Sequence, residues 1–311
     1  MRALKTMPVS FPGLFGEWEM TASPVCFTIA GKPVYWYGVI IACGLLLALW
    51  FCLKQAKHYG LKEDDLYDTV LWGIPVGILG ARLYYVLFYL DLFRDGEGKL
   101  RFSKMIAIWD GGLAIYGAVI ACMVMAFLLC RKKKLPMGAL TDNCVMGLLI
   151  GQLVGRWGNF MNREAFGAET TLPWRMRLWT AAETYIEVHP TFLYESLWNL
   201  LGLGLIVFVL AKRRRFDGQN TWFYFLWYGL GRVWIEGLRT DSLYLFDWTL
   251  LGQPIRVSQA LSAVMVLISA FMLLYRLRLR PADPSQMLVR RVAQAENDRA
   301  NHENEEIKEN D

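Results

Sequence analysis

The chain has 311 residues, of which 55% are hydrophobic and 14% aromatic, with a formal net charge of +5 and a mean hydropathy of +0.28. It is too apolar for an ordinary soluble domain and indicates an all-α polytopic membrane protein. The basic residues gather in short clusters beside apolar runs, the pattern that sets membrane topology, which argues against nucleic acid as a partner.

The first 33 residues form an N-terminal arm. Its Phe11-Pro-Gly-Leu-Phe15 segment reads either as an interfacial anchor or as a disordered arm. No h-region with a small-residue cleavage site follows Arg2 and Lys5, so no cleaved signal peptide is expected. Apolar runs long enough to cross a bilayer, about 20 residues each, lie near 34–53, 69–90, 112–130, 140–161, 191–211, 219–237 and 256–276. They predict about seven transmembrane helices in one domain spanning 34–280. Lys54, Lys57 and Lys62 follow the first span, Arg131 to Lys134 the third, Lys212 to Arg215 the fifth, and Arg276, Arg278 and Arg280 the last. The positive-inside rule then places the N-terminus outside and the C-terminus in the cytoplasm. Basic residues in 91–110 are offset there by Asp91, Asp95, Glu97 and Asp110. Residues 163–190 are expected as an outer loop. Residues 281–311 lose apolar periodicity and read as a disordered cytoplasmic tail. Cysteines at 26, 43, 52, 122, 130 and 144 lie mostly inside apolar runs without a C-x-x-C pair, as small buried hydrophobes do.

With this topology the intramembrane polar residues converge in depth. Tyr37 starts the first helix, Arg82 lies two-thirds along the second, and Tyr116 starts the third. Arg156 and Asn159 approach the outer end of the fourth, Glu195 begins the fifth, and Arg232 with Glu236 closes the sixth. Spacings of three and four put Arg156 with Asn159, and Arg232 with Glu236, on single helical faces. Two arginines on different helices suit a phosphate. Guanidinium groups at membrane depth are expensive, by roughly 2.5–3.5 kcal/mol on insertion scales, and usually mark a substrate path or an internal ion pair. Gly147, Gly151 and Gly155 repeat every four residues, a spacing that lets another helix approach closely.

Plainer roles exist for each residue. Arg232 and Glu236 also fit a structural pair, Arg82 fits either role, and Tyr35-Trp36-Tyr37 fits an interfacial aromatic belt. His189, before Pro190, also fits a cap for the fifth helix.

The segment Gly155-Arg156-Trp-Gly-Asn159-Phe-Met-Asn162-Arg-Glu164-Ala-Phe-Gly167 resembles the signature of the phosphatidylglycerol to prolipoprotein diacylglyceryl transferases. Supporting pieces, in the family's order, are Trp36-Tyr37-Gly38, Gly80-Ala-Arg82 through Tyr89, Trp109-Asp-Gly-Gly-Leu-Ala-Ile-Tyr116-Gly117, His189-Pro-Thr-Phe-Leu-Tyr194-Glu195 and Gly231-Arg232 through Glu236-Gly-Leu-Arg239. The resemblance implies transfer of the diacylglyceryl group of phosphatidylglycerol to the lipobox cysteine of a prolipoprotein, in a bacterial cytoplasmic membrane, without cofactor or metal. The partners would be the lipid, the prolipoprotein signal peptide and surrounding membrane lipids. Arg156 and Arg232 would clamp the departing phosphate, Asn159 would hold the headgroup or Arg156, Glu236 would orient Arg232, and Gly167 would permit close backbone approach. Tyr37, Asn162, Glu164, Glu195, Arg82 and Arg239 complete the expected site. Many family members carry histidine where Tyr116 stands. A phenol with pKa near 10 is a poor base, whereas a thiol near 8.5 needs only modest help. Tyr116 is therefore expected to hydrogen-bond, with thiolate formation promoted by the arginines or by His189. The competing function is a lipid transporter or flippase using the same arginines; its usual inverted repeats and paired helix breaks are not evident.

Overall fold

The computed structural model describes residues 6–16, 18–95, 98–181, 184–240, 244–250 and 253–310. In chain order the α-helices are α1 (Pro12–Phe15), α2 (Trp36–Gln55), α3 (Glu63–Phe88), α4 (Phe102–Ile106), α5 (Ile115–Lys133), α6 (Met137–Asn162), α7 (Thr191–Leu205), α8 (Gln219–Leu238), α9 (Val257–Leu274) and α10 (Leu288–Asn310). The strands are β1 (Met7–Ser10), β2 (Glu19–Ala22), β3 (Val25–Ile29), β4 (Lys32–Tyr35), β5 (Met176–Ala181), β6 (Thr184–Val188), β7 (Tyr244–Leu250) and β8 (Gln253–Arg256).

All seven expected spans are helical. Six of them, beginning at Trp36, Glu63, Ile115, Met137, Thr191 and Val257, are long and apolar enough to cross a membrane. The helix at the remaining span, α8, has 20 residues but carries Gln219, Asn220, Arg232 and Glu236 among several tryptophans and tyrosines. Its length fits a span, while its polar groups need protein partners rather than lipid.

Two compact units divide the chain, Met1–Cys52 with Thr141–Gln286 and Leu53–Leu140 with Met287–Asp311. In the first unit, α2 and α6 meet through small residues. A Cβ on Gly147 would lie 2.9 Å from the Cys52 sulfur, and one on Gly44 would lie 3.3 Å from Val154 and 3.9 Å from the Gly151 Cα. Gly147 and Gly155 of the four-residue spacing thus lie against α2 side chains, Cys52 and Ile41, while Gly151 has open space. Asn143 strengthens the contact by donating to the Cys52 carbonyl at 3.0 Å.

At the start of α8, a carboxylate from α6 meets four donors. Asp142 accepts from the Gly218 and Thr221 amides at 2.9 Å each and from the Thr221 hydroxyl at 2.9 Å, and it pairs with Arg214 at 3.1 Å. Helix N-termini leave amides without intrahelical partners, and here a neighbouring helix supplies the acceptor. Asp142 is fully buried and Arg214 nearly so, so the charge is compensated where water is excluded.

The N-terminal arm contributes β1 and β2, and the 163–190 segment, expected as an outer loop, contributes β5 and β6. They form one four-stranded sheet in the order β2-β1-β5-β6, with Val9 opposite Leu178 and Met176 opposite Val188. Val9, Ala22, Met176, Leu178 and Val188 bury one face against Phe160 of α6 and Phe192 of α7. This seats the sheet on the helix ends that carry the signature residues. The disordered alternative for 11–15 is set aside, since Pro12–Phe15 is helical and follows β1. Leu14, Phe15 and Trp18 remain exposed there.

In the second unit, α3 and α5 pack closely enough that a Cβ on Gly117 would lie 2.3 Å from the Gly80 carbonyl oxygen and one on Gly80 2.3 Å from the Ala121 Cβ. Lys133 closes the far end, bridging Asp65 at 2.9 Å and Asp68 at 2.6 Å. The tail expected to lack structure is helical over α10. Met287 and Leu288 are buried at its start, and a Cβ on Gly60 would lie 2.8 Å from the Val289 backbone. Beyond that anchor, alanine, arginine, glutamine and glutamate are strong helix formers, which apolar periodicity alone does not register.

Candidate active site

The signature turn begins where α6 ends. Arg163 and Ala165 have φ of 54° and 56°, a left-handed conformation that is uncommon for residues with a side chain. Glu164 lies between them and accepts from the amides of Asn159 at 3.0 Å and Asn162 at 3.1 Å. The turn is further held by Arg163 donating to the Trp179 carbonyl and by the Thr191 hydroxyl donating to the Ala165 carbonyl at 2.5 Å. Three chain segments then cross at Gly167. Its amide donates to the His189 carbonyl at 3.0 Å, and the Ala168 amide donates to the Leu238 carbonyl at 2.7 Å. A Cβ on Gly167 would lie 2.7 Å from the His189 Cβ and 3.0 Å from the Leu238 oxygen. Glycine is therefore required by close packing here.

That crossing brings the starts of α7 and the ends of α6 and α8 together, and their charges meet at Glu195. Arg156 contacts one carboxylate oxygen at 2.5 Å, while Arg232 at 3.6 Å and Arg239 at 3.5 Å face the other. Arg232 also pairs with Glu236 at 2.5 Å, and Arg156 donates to Asn159 at 3.4 Å. Three guanidinium groups and two carboxylates leave the cluster with one net positive charge. The arginine side chains keep 13–22% of their surface open, whereas Glu195 keeps 6%. The carboxylate lies beneath a partly open fan of guanidinium donors. Each guanidinium offers five N–H groups in a planar fork, a geometry that matches phosphate oxygens.

Around this cluster the helices are tied by polar contacts. Ser196 of α7 donates to the Leu153 carbonyl at 3.0 Å, and Gln152 of α6 donates to the Tyr224 hydroxyl of α8 at 2.8 Å. Tyr37 lies against α6 beside Asn159, since a Cβ on Gly158 would lie 2.7 Å from its ring.

His189 stands at the entry to α7 in a short chain of hydrogen bonds. The Trp174 indole donates to the Tyr194 hydroxyl at 2.7 Å, and that hydroxyl lies 3.1 Å from His189 Nδ1. An indole only donates, so the Tyr194 hydroxyl accepts from Trp174, and it donates to Nδ1 or accepts from it according to the imidazole tautomer. Burial lowers the His189 pKa, so the ring favours its neutral form.

Arg82 and Tyr116 belong to the second unit. Arg82, only 7% exposed, is held by main-chain carbonyls: Nε donates to Met105 at 2.8 Å, one terminal nitrogen to Gly111 at 2.6 Å and Gly112 at 2.9 Å, and the other to Lys104 at 2.6 Å. Gly111 and Gly112 both have positive φ, 85° and 75°, which turns their carbonyls toward the guanidinium. Its plane also faces the Tyr85 and Phe93 rings at 5.9 and 5.3 Å. Four of its five N–H donors are thereby held by main-chain carbonyls of 104–112, acceptors that the sequence did not point to. Tyr116, at the start of α5, is half exposed and its ring lies 6.4 Å from that of Tyr84.

Six apolar spans, with an eighth-helix arginine and its partners gathered at one cluster, define a polytopic membrane protein whose polar groups meet at helix ends. Residues 24–275 match the prolipoprotein diacylglyceryl transferase family, and the chain belongs to it. A relative from Lactobacillus delbrueckii subsp. bulgaricus, named phosphatidylglycerol–prolipoprotein diacylglyceryl transferase, is 39% identical over 265 residues, covering 83% of this chain and 92% of the relative. Relatives of the same name from Lysinibacillus sphaericus and Listeria monocytogenes are 39% and 40% identical, covering 84% and 88% of this chain and 94% and 96% of their own.

Proposed function

We propose that the protein transfers the diacylglyceryl group of phosphatidylglycerol to the lipobox cysteine of prolipoproteins, at the outer leaflet of a bacterial cytoplasmic membrane. The N-terminus then lies outside and the C-terminus in the cytoplasm, as the basic clusters suggest. The observation that carries this reading is the convergence of Arg156, Arg232 and Arg239 on Glu195 with one net positive charge. In the reaction the cysteine sulfur attacks the glycerol carbon that bears the phosphoester. The S–C bond forms, the C–O bond breaks, the thiol proton is released, and glycerol phosphate departs. Negative charge grows on the departing phosphate, where preorganised guanidinium groups are most effective because their orientation is already fixed.

Arg156 and Arg232 hold the phosphate in this scheme, Arg239 adds a third donor, and Glu195 with Glu236 orients them. Asn159, Asn162 and Glu164 hold the turn beside the headgroup. The positive field supports the thiolate, since cationic neighbours lower a thiol pKa. His189, hydrogen-bonded to Tyr194, is the second group that promotes thiolate formation in this scheme.

Mass spectrometry of a lipobox peptide incubated with purified protein and phosphatidylglycerol tests this. A diacylglyceryl increment on cysteine, lost in Arg156→Ala, is the expected result. No increment with folded protein would turn the reading toward lipid binding or transport, and an increment surviving in Arg156→Ala would remove that residue from the phosphate clamp.

A further inference from the structure

One turn beyond Glu195 on α7, Trp198 faces Trp227 of α8. Their rings stack at 4.2 Å with planes 14° apart, and each indole donates to the other residue's carbonyl, at 2.9 Å from Trp198 and 2.8 Å from Trp227. Glycines make room on both sides. A Cβ on Gly231 would lie 2.4 Å from the Trp198 indole nitrogen, and one on Gly202 would lie 2.5 Å from the Trp227 ring. Gly231 directly precedes Arg232. The stack continues outward, since Trp198 meets Trp234 edge-on at 5.9 Å, and Trp234 lies 6.1 Å from Tyr194, the neighbour of Glu195.

Helices in a membrane gain little from burying apolar surface against each other, so their relative slide is set by packing and by the few hydrogen bonds between them. A slide of one residue is about 1.5 Å, enough to break both indole bonds together. Simple packing would need neither the exchanged donors nor the two glycines. We propose that the Trp198–Trp227 pair is a positioning device that fixes Glu195 of α7 against Arg232 of α8, and through them the guanidinium fan. The proposal rests on the reading of that fan as the phosphate site.

The test is steady-state transfer of diacylglyceryl from phosphatidylglycerol vesicles to a lipobox peptide by parent, Trp227→Phe, Trp198→Phe, Glu195→Gln and the Trp227→Phe/Glu195→Gln double variant, each normalised to folded protein. Phenylalanine keeps the stack and removes the donor. Trp227→Phe is expected to lower kcat about tenfold or more, because displacement of about 1 Å in a catalytic constellation costs up to about a hundredfold, with KM for the lipid nearly unchanged. Glu195→Gln itself loses activity, and the tryptophan effect should vanish in its background, because the pair acts through Glu195. Parental kcat in Trp227→Phe, or the same fold-loss with and without Glu195→Gln, overturns the proposal while leaving the proposed function standing. Trp198→Phe, which removes the reciprocal donor, decides the matter if Trp227→Phe does not fold. A parent protein that lipidates no peptide removes both the function and the positioning role.

Discussion

Replacing Glu195 by alanine removes the carboxylate on which Arg156, Arg232 and Arg239 converge. At an effective dielectric near 20, each such contact represents about 4 kcal/mol of gross attraction, most of it offset by the desolvation of buried charges. Deleting one partner of a buried network costs about 3–5 kcal/mol, chiefly because the remaining charges lose their compensation. Arg232 retains Glu236 at 2.5 Å, so the loss falls mainly on Arg156 and on the end of α8. Glu195→Ala is therefore expected to melt several degrees lower in detergent and to transfer diacylglyceryl about a hundredfold more slowly. Glu195→Gln keeps the shape and changes the cluster from one to two net positive charges, so it should melt closer to the parent. Thermal unfolding and the peptide mass assay read the two effects separately. A Glu195→Ala protein with parental melting and turnover would refute the hub.

Two further outcomes follow from groups outside that hub. Arg82→Lys keeps the charge but replaces a fork that reaches four carbonyls by a single ammonium; it is expected to raise proteolysis within 104–112 and to destabilise the protein by about 2–3 kcal/mol, as orphaned buried carbonyls do. Burial opposes ionisation of Glu187, yet hydrogen bonds from Arg177 and Arg175 hold its carboxyl below the usual glutamate range. A carboxylate depressed in the fold contributes stability above its unfolded pKa and loses it as pH falls through the folded one. The melting difference between parent and Glu187→Gln should thus be present at neutral pH, at most about 1 kcal/mol for so accessible a pair, and should shrink below about pH 4. A difference that grows on acidification would contradict the assignment.

Spacing revealed what lies on one helix. Arg232 and Glu236 sit four apart and pair at 2.5 Å, and Arg156 and Asn159 sit three apart and meet at 3.4 Å. It did not reveal Glu195 as the hub, because its three partners lie on other segments and no periodicity links them. The tryptophan pair was hidden for a similar reason, as aromatic residues in apolar helices read as packing or belt anchors. The four-stranded sheet escaped notice because β1 and β5 are separated by most of the helices, and pairing over such distances leaves no local pattern. Arg82 fits either role in the sequence because an arginine in an apolar run shows only that it needs acceptors; that glycine carbonyls supply two of them is a property of the fold.

The Asp142–Arg214 knot bears on how the chain is oriented during insertion. Four consecutive basic residues, Lys212 to Arg215, would ordinarily all count as anchors against translocation. Arg214 is buried against Asp142, so of these four only Lys212, Arg213 and Arg215 are exposed. The fourth charge acts as a lock between two helices, and its removal would disturb assembly of the bundle more than its sidedness.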